Sequence, residues 1–366
     1  SAGVVALRKE IDALRIQYKE APQWLALLPD VMIFEKAVDW ALRYDEFTDV
    51  KQVETAGQQL ELGMQRAAEL REGKASWNSA TGLVVRGYVS KVDGSVQPYG
   101  LVIPDDWTPG EKTARRLDFW FRGRADKSTE LAFISDRLKN RGEFTPPGAI
   151  VLHPFGRFCC ANKFAGEVDL FEAWQNAAMH YSLDAARVSV RGFSMGGASA
   201  WQFGTHFSGL WAAVAPGAGF AETAEFNKVF AEGKTPPPWW EQVLYRWYDA
   251  TLYAANLSNT VTVAYSGELD GQKQAADLML RYAEKEGLSI PHIIGPQTAH
   301  KYHPEAKPKI EEIVTGAVLK GRARVPKKVS LTTYSLVYPQ VEWVRVEGMS
   351  RHWERADVSA EIKEDG

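Results

Sequence analysis

Cysteine is scarce in this sequence, which has only Cys159 and Cys160, next to each other. Adjacent cysteines seldom form a relaxed disulfide because the geometry is strained, so we expect two buried, small apolar side chains. The redox compartment therefore stays open. No signal peptide is visible, and the first residue is Ser1. We expect a secreted or periplasmic protein if a signal peptide has been removed, and a cytoplasmic one otherwise.

Long apolar runs and an excess of positive charge are also missing. No stretch of 18 apolar residues occurs, so we predict no transmembrane helix and no membrane partner. The formal net charge is -3, which argues against the basic face that nucleic-acid binding needs, so we predict no nucleic-acid partner. The His and Cys spacings match no zinc pattern, and no phosphate-binding glycine loop is present. We therefore predict neither a metal nor a cofactor.

What is present is the composition of an ordinary soluble globular protein. The 366 residues are 45% hydrophobic and 24% charged, enough for one large core or one core with small additions. Residues 1–76 predict a helical segment, with Val5, Ile11 and Leu14 on one face. Residues 321–366 predict a small β-rich C-terminal tail, and the oligomeric state is left open.

Residues 77–320 have a different pattern, which predicts a separate domain, and the motifs described below make it the catalytic domain. A hairpin is expected around Asp93-Gly94, and apolar strands then alternate with amphipathic helices. This alternation is typical of an α/β fold with a mostly parallel central sheet covered on both faces. One of the predicted core strands runs over 261–266. The stretch 220–259 interrupts the rhythm, as insertions that build pocket walls do.

The strongest local motif is Gly192-Phe193-Ser194-Met195-Gly196-Gly197. A predicted strand precedes it and a predicted helix follows it, which is the setting of a nucleophile on a tight strand-to-helix turn. Glycines are needed there because a side chain would collide with the neighbouring strand and helix. The bland alternative is a glycine-rich helix start with Ser194 as its cap. We predict that Ser194 is a catalytic nucleophile.

A nucleophilic serine needs a base, and the base needs an orienting acid. In this arrangement the chain order is serine, then Asp or Glu, then His. Asp270 follows the predicted strand over 261–266 and is our choice for the acid, with Glu268 as the alternative. His300 follows the last predicted strand and is our choice for the base, with His303 as the alternative.

The remaining candidates are expected around this triad. The backbone N–H of Met195 and one from the loop 121–126, near Arg124, are predicted to form the oxyanion hole. Arg124 and Arg157 each follow a Gly just after an apolar strand. There they could bind an anionic or hydroxyl-rich part of a substrate. Alternatively they pair with Glu167, Asp169 or Asp126 and only brace the loops. The other candidate substrate-binding residues are His153, at a strand end, and Trp239 and Trp240, in the insertion.

Together these motifs resemble the α/β-hydrolases of the prolyl-oligopeptidase-like and esterase group, over residues of about 80–320. The matching pieces are Arg122-Gly123-Arg124-Ala125-Asp126, His153-Pro154-Phe155-Gly156-Arg157, the Ser194 motif, Ser266-Gly267-Glu268-Leu269-Asp270 and Ala299-His300-Lys301-Tyr302-His303-Pro304. Family members usually have His-Gly in the early loop, where this chain has Arg122-Gly123. The resemblance implies an α/β-hydrolase fold and cleavage of esters, or less often of peptides.

Three functions follow from this reading. The first is a serine carboxylic ester hydrolase that works through an acyl-enzyme, with a small-molecule or carbohydrate-linked ester as its substrate. The second is a serine peptidase of the prolyl-oligopeptidase type. Those enzymes gate the site with a β-propeller, whereas the roughly 80 residues before the catalytic part are helical in pattern, which favours the esterase. The third is an inactive hydrolase fold used for binding.

Overall fold

The computed structural model describes residues 1–125 and 129–363, which form two compact units. Unit 1 contains Ser1–Arg115 and Ala125–Leu183, and unit 2 contains Arg116–Arg124 and Asp184–Gly366. The helices are α1 (Ala2–Gln17), α2 (Pro22–Leu25), α3 (Pro29–Arg43), α4 (Lys51–Arg71), α5 (Glu130–Arg137), α6 (Ala165–His180), α7 (Met195–His206), α8 (Thr223–Phe226), α9 (Trp239–Tyr248), α10 (Lys273–Lys285) and α11 (Ala306–Lys320). Short 3-10 segments cover Ser76–Ser79, Ser208–Leu210 and Ala250–Asn259. The strands are β1 (Gly82–Val89), β2 (Val96–Ile103), β3 (Arg115–Phe121), β4 (Ile150–Pro154), β5 (Leu183–Phe193), β6 (Ala213–Gly217), β7 (Val261–Thr262), β8 (Ala264–Gly267), β9 (His292–Gly295), β10 (Lys328–Thr333), β11 (Gln340–Val341), β12 (Val344–Arg345) and β13 (Ala356–Glu361).

The N-terminal segment of unit 1 is helical, as its periodicity predicts. In α1 the buried face is Val4, Leu7, Ile11 and Leu14, and Val5 is 65% exposed. The prediction that Val5 lies on this face is therefore wrong. Steps of three, four and three residues from Val4 keep one side of a 3.6-residue helix toward the core, and Val5 falls outside that stripe.

A buried polar cluster joins these helices to the strands of unit 1. Asp30, in the first turn of α3, pairs with Arg86 of β1 at 2.8 Å, and both side chains are at most 1% exposed. The same carboxylate accepts hydrogen bonds from the Trp77 indole and the Gly87 backbone N–H, each at 2.8 Å. Because a buried charge is tolerated only when it is paired and hydrogen-bonded, this cluster fixes α3 on β1.

The strands of unit 1 are antiparallel. β1 and β2 form the predicted hairpin, in register from Gly82 opposite Ile103 to Val89 opposite Val96, and β4 pairs antiparallel with β2. At the turn Gly94 has a φ of 72°, which glycine adopts without steric cost. Cys159 and Cys160 are free and half-buried, so the prediction that both are buried is wrong.

The sheet of unit 2 has the order β3-β5-β6-β8-β9, with β7 paired to β6. β6 is parallel to β5 and to β8, and β9 is parallel to β8. Helices α7 and α11 pack on β6, and α10 packs on β8. The predicted single strand over 261–266 is split into β7 and β8 at Val263. With this sheet and its helices, the predicted α/β-hydrolase fold is confirmed.

The C-terminal tail of unit 2 is β-rich as predicted, since β10 pairs with β13 and β11 with β12, all antiparallel. Asn256 connects the tail to the 3-10 segment Ala250–Asn259. Its side chain accepts a hydrogen bond from the Thr332 N–H at 2.7 Å and donates to the Thr332 carbonyl at 2.9 Å. Among the described residues, no helix is long and apolar enough to cross a membrane.

Candidate active site

Ser194 occupies a strained turn between strand β5 and helix α7. Its φ of 60° and ψ of -121° are unusual for a residue with a side chain and match the tight turn that exposes a nucleophile. The turn is tied to the neighbouring strand, because the Ser194 N–H donates to the Gly217 carbonyl at the end of β6 at 2.8 Å. Helix α7 begins at the next residue, so its N-terminal N–H groups open beside the serine.

The glycines of the motif are required by close backbone approach, as the sequence predicts. A Cβ on Gly192 would lie 2.2 Å from the Gly196 carbonyl oxygen, and one on Gly196 would lie 2.1 Å from the Phe121 carbonyl oxygen. Real Cβ atoms essentially never come so close to backbone atoms. Any side chain at these two positions would therefore push the turn apart.

Asp270 and His300, the predicted acid and base, are joined by a direct hydrogen bond. His300 Nδ1 lies 2.8 Å from Asp270 Oδ2. The Asp270 side chain is 2% exposed, whereas that of His300 is 42% exposed. The other oxygen of the carboxylate accepts the Gln272 N–H at 2.8 Å. Because an ionised carboxylate can only accept, Nδ1 must carry the proton, and Nε2 on the opposite side of the ring is left to accept another.

The two alternatives, Glu268 and His303, have other partners. One Glu268 oxygen accepts hydrogen bonds from the Gln297 N–H at 2.7 Å and from its side-chain amide at 3.1 Å. His303 accepts the Glu305 N–H at Nδ1, at 3.2 Å. Glu268 thus ties the loop after β8 to the loop after β9, and neither alternative takes part in the Asp270–His300 bond.

Aromatic side chains hold the His300 loop against the serine turn. The His300 ring centroid lies 4.8 Å from that of Phe193, the residue before Ser194. The Tyr265 hydroxyl donates to the Lys301 carbonyl at 2.8 Å and accepts the His303 N–H at 2.7 Å. This role of Tyr265 was not predicted from the sequence. A tyrosine inside a buried strand, where its hydroxyl needs a partner, was the available signal.

The loop expected to complete the oxyanion hole lies beside the serine. A Cβ on Gly123 would lie 3.7 Å from the Ser194 Cβ, so the chain around Gly123 passes directly over the turn. Arg124, the next residue, is exposed. Asp126, one of the predicted partners of the two arginines, lies outside the described residues. Met195 is the first residue of α7. The first N–H groups of a helix have no partner within the helix, so the Met195 N–H is suited to the predicted oxyanion hole.

Arg157 makes the contacts of the bracing alternative. Its Nε donates to Asp169 at 2.9 Å, its Nη1 to Asp93 at 2.6 Å and its Nη2 to the Ser90 hydroxyl at 2.8 Å. All three guanidinium nitrogens are therefore used within unit 1. We do not carry Arg157 forward as a substrate-binding residue, because each of its three guanidinium nitrogens already donates to a partner.

His153 is buried in unit 1, with 3% of its surface exposed. Its Nδ1 lies 2.8 Å from Arg137 Nη1, and burial together with the Arg137 charge lowers the pKa of His153 well below its ordinary value. A neutral, buried ring that accepts from an arginine is not accessible to a ligand, so His153 is also not carried forward.

A cavity of about 800 Å³ opens next to the Asp270–His300 pair. Most of its other lining comes from the predicted insertion: Ala224, Glu225, Phe226, Lys228, Phe230 and Ala231. Gly271, Gln272 and Gln274 complete it. The predicted Trp239 and Trp240 are 75% and 53% exposed on α9 and do not line this cavity. The insertion predicted to build pocket walls therefore lines this cavity. Phe226 and Phe230 were not predicted individually, although their spacing of four residues was an available signal.

Metal-binding groups are not found in the described part of the chain, where no three His, Cys, Asp or Glu side chains are grouped to hold an ion.

Residues 162–310 match the family model of the prolyl oligopeptidase family. No curated protein sequence matches the chain. Among solved structures, the chain is similar to a ferulic acid esterase, with 16% identity and a TM-score of 0.49 over 66% of this chain and 99% of that one. It is also similar to FphF, a fluorophosphonate-binding serine hydrolase of Staphylococcus aureus, with 14% identity and a TM-score of 0.45 over 65% and 99% of the two chains. At these values the two structural likenesses carry no argument about activity.

The matched segment contains the Ser194 turn, Asp270 and His300. The predicted resemblance to the α/β-hydrolase serine hydrolases of the prolyl-oligopeptidase-like group is confirmed.

Proposed function

We propose that this chain is a serine hydrolase of carboxylic esters that works through an acyl-enzyme, with Ser194, His300 and Asp270 as its catalytic triad. The observation that carries the proposal is the 2.8 Å bond from His300 to the buried Asp270, with the imidazole packed on Phe193 beside the strained Ser194 turn. A base oriented by an acid next to a partly buried serine is the geometry that activates a hydroxyl for acyl transfer.

Each residue then has a defined role in the reaction. His300 Nε2 accepts the Ser194 hydroxyl proton while the serine oxygen attacks the acyl carbon, and the Asp270 carboxylate stabilises the imidazolium. Backbone N–H groups of Met195 and of the loop at Gly123 and Arg124 stabilise the oxyanion. His300 returns the proton to the leaving alcohol as the ester bond breaks. His300 then takes a proton from water as the water attacks the acyl carbon, and it gives that proton to the Ser194 oxygen as the acyl–serine bond breaks and the acid is released.

A peptidase is the second candidate, because the matching family model is that of the prolyl oligopeptidases. Residues 2–71, which precede the catalytic strands, are mainly helical and are fixed on β1 by the buried Asp30–Arg86 pair. The choice between the two candidates therefore rests on which bond the protein cleaves.

Esters and their matching amides, which differ only in the scissile bond, test the proposal together with proline peptides. Purified protein is given p-nitrophenyl acetate, acetylated and feruloylated sugars, the corresponding anilide and amides, and proline peptides. We expect hydrolysis of the esters, little or no cleavage of the amides, and no turnover by Ser194→Ala. Faster cleavage of proline peptides than of any ester would establish the peptidase instead.

A further inference from the structure

The 800 Å³ cavity is lined by two of the three residues of the proposed triad. Its lining includes His300 and Asp270. Ser194, Met195 and Gly123, the positions proposed for attack and for oxyanion binding, are not among its lining residues. Its volume is within the range of ligand pockets, about 300–1,000 Å³. The cavity is therefore large enough for a ligand and opens on the base rather than on the nucleophile.

In the proposed mechanism, the space beside His300 and away from Ser194 belongs to the leaving alcohol of the substrate. In acyl transfer the imidazole contacts two oxygens in turn, that of the serine and that of the leaving alcohol to which it returns the proton. The acyl carbon must stay at the serine and the oxyanion donors. A space that borders the imidazole but not the serine therefore receives the leaving group.

We propose that this cavity is the binding site for the alcohol half of the ester, and that this alcohol is a hydroxyl-rich ring such as a sugar. The inference rests on the proposed function and names the substrate class of that site. Phe226 and Phe230 offer aromatic surface, with exposed fractions of 40% and 56%. The polar side chains of Glu225, Gln272 and Gln274 line the same cavity. A sugar has both an apolar C–H face for a ring and hydroxyls for amides and carboxylates, whereas a fatty alcohol needs only the apolar surface.

Phe226 and Phe230 form the aromatic wall of the cavity, and contacts within the insertion hold Phe226 in place. The Glu222 carboxylate accepts the Ala224 and Glu225 N–H groups at 2.7 and 2.8 Å, which caps α8. Asp249 accepts the Thr223 N–H at 3.1 Å and its hydroxyl at 2.6 Å. The Phe226 ring packs on Phe220 with centroids 5.0 Å apart. These contacts fix the position of Phe226 before any substrate binds, which reduces the conformational entropy lost on binding.

A polar contact also links the wall to the opposite side of the cavity. The Gln274 side-chain amide donates to Glu225 at 3.2 Å, and Glu225 lies 3.5 Å from Arg281. Gln274 belongs to α10, the helix that follows Asp270. Glu225 and Gln274 therefore connect the insertion to the helix that follows Asp270.

Two substrate series separate the alcohol half from the acyl half. In one, the acetyl group is constant and the alcohol changes from methanol to p-nitrophenol to mono- and disaccharides. In the other, p-nitrophenol is constant and the acyl chain grows from two to eight carbons. The variant is Phe230→Ala, whose side chain is exposed enough to be removed without harm to the core. Leu244→Ala is the matched control, since Leu244 is 39% exposed in the same insertion and does not line the cavity.

We expect Phe230→Ala to lower kcat/KM for sugar acetates relative to methyl acetate by about tenfold, the effect of one lost aromatic contact. The dependence on acyl chain length should not change, and Leu244→Ala should behave as wild type in both series. Added free sugar should also capture the acetyl group from wild-type acyl-enzyme, and Phe230→Ala should weaken this transfer.

Two results would overturn the inference while leaving the proposed function intact. If Phe230→Ala alters the acyl-length series, the cavity binds the acyl half. If it alters neither series while Ser194 still reacts with a fluorophosphonate, the cavity does not bind substrate. Loss of ester hydrolysis and of Ser194 labelling in the wild type itself would instead reject the proposed function and this inference with it.

Discussion

Two pairs of a base and a buried carboxylate, one in each unit, look alike in sequence and differ in structure. Arg157 and His300 both follow core strands, and each binds a carboxylate that is 2% exposed, Asp169 at 2.9 Å and Asp270 at 2.8 Å. Arg157 is 19% exposed and uses all three of its nitrogens, whereas His300 is 42% exposed and borders a cavity. The comparison teaches that a cation whose nitrogens all have partners braces a loop, whereas an imidazole that keeps a lone pair beside open space can accept a proton.

The largest effect is expected on the reactive side of this comparison. His300→Ala should lower kcat/KM for p-nitrophenyl acetate by about a thousandfold or more, because the serine loses the group that accepts its proton. Its melting temperature should stay close to that of wild type, since the ring is partly exposed. His303→Ala is the matched control and should keep most of the activity. An active His300→Ala with an inactive His303→Ala would show that the base is His303.

A somewhat smaller loss is expected at the acid. Asp270→Asn should lower kcat by about a hundred- to a thousandfold, because an amide that donates to Nδ1 favours the wrong tautomer of the imidazole. Glu268→Gln keeps an oxygen that can accept from Gln297 and should cost less than tenfold. Steady-state kinetics of both variants check this order. The reverse order would make Glu268 the orienting acid.

The bracing side of the comparison should respond in stability rather than in rate. Arg157→Ala leaves the Asp169 carboxylate buried without its cation, so we expect a loss of about 3 kcal/mol in the free energy of unfolding. Burial already raises the pKa of Asp169, and removal of Arg157 raises it further. Because the buried acid can then be neutralised by a proton, the loss should shrink as the pH falls. Urea unfolding at pH 8 and pH 5 measures it.

Arg43→Ala serves as the control for Arg157→Ala, because the Arg43–Asp39 pair lies on the surface with Arg43 56% exposed. An exposed pair contributes about 0–1 kcal/mol. Unchanged stability of Arg157→Ala together with a selective loss of turnover on large substrates would return Arg157 to the substrate site.

The smallest effect concerns His180, which accepts from Arg86 at 3.1 Å. Burial and the Arg86 charge lower the pKa of His180 to about 4, against about 6.5 for an ordinary histidine. The folded state therefore prefers the neutral ring, and its stability is complete above about pH 6.5 and falls as the pH drops toward 4. His180→Gln keeps an acceptor for Arg86 and should flatten this slope by at most one proton. Identical slopes for both proteins between pH 7 and pH 5 would contradict the assignment.

Much of the fold and the centre of the site could be predicted because they depend on local patterns. The Ser194 turn needs its own glycines, and Asp270 and His300 each follow a strand, so chain order was sufficient. Asp169 was named as one of three partners for Arg157, but Asp93 and Ser90 could not be found, because they come from the distant β1–β2 turn. Likewise, Phe230 and not Trp239 lines the cavity, and this follows from the path of an insertion that has no regular period.

The claim that Ser194 is the nucleophile can be tested by covalent labelling. Wild-type protein is treated with a fluorophosphonate, digested, and the adduct is located by mass spectrometry. The account predicts one adduct, on the peptide that contains Ser194, with no labelling of Ser194→Ala and much slower labelling of His300→Ala. An adduct on another residue, or labelling that persists in Ser194→Ala, would contradict it.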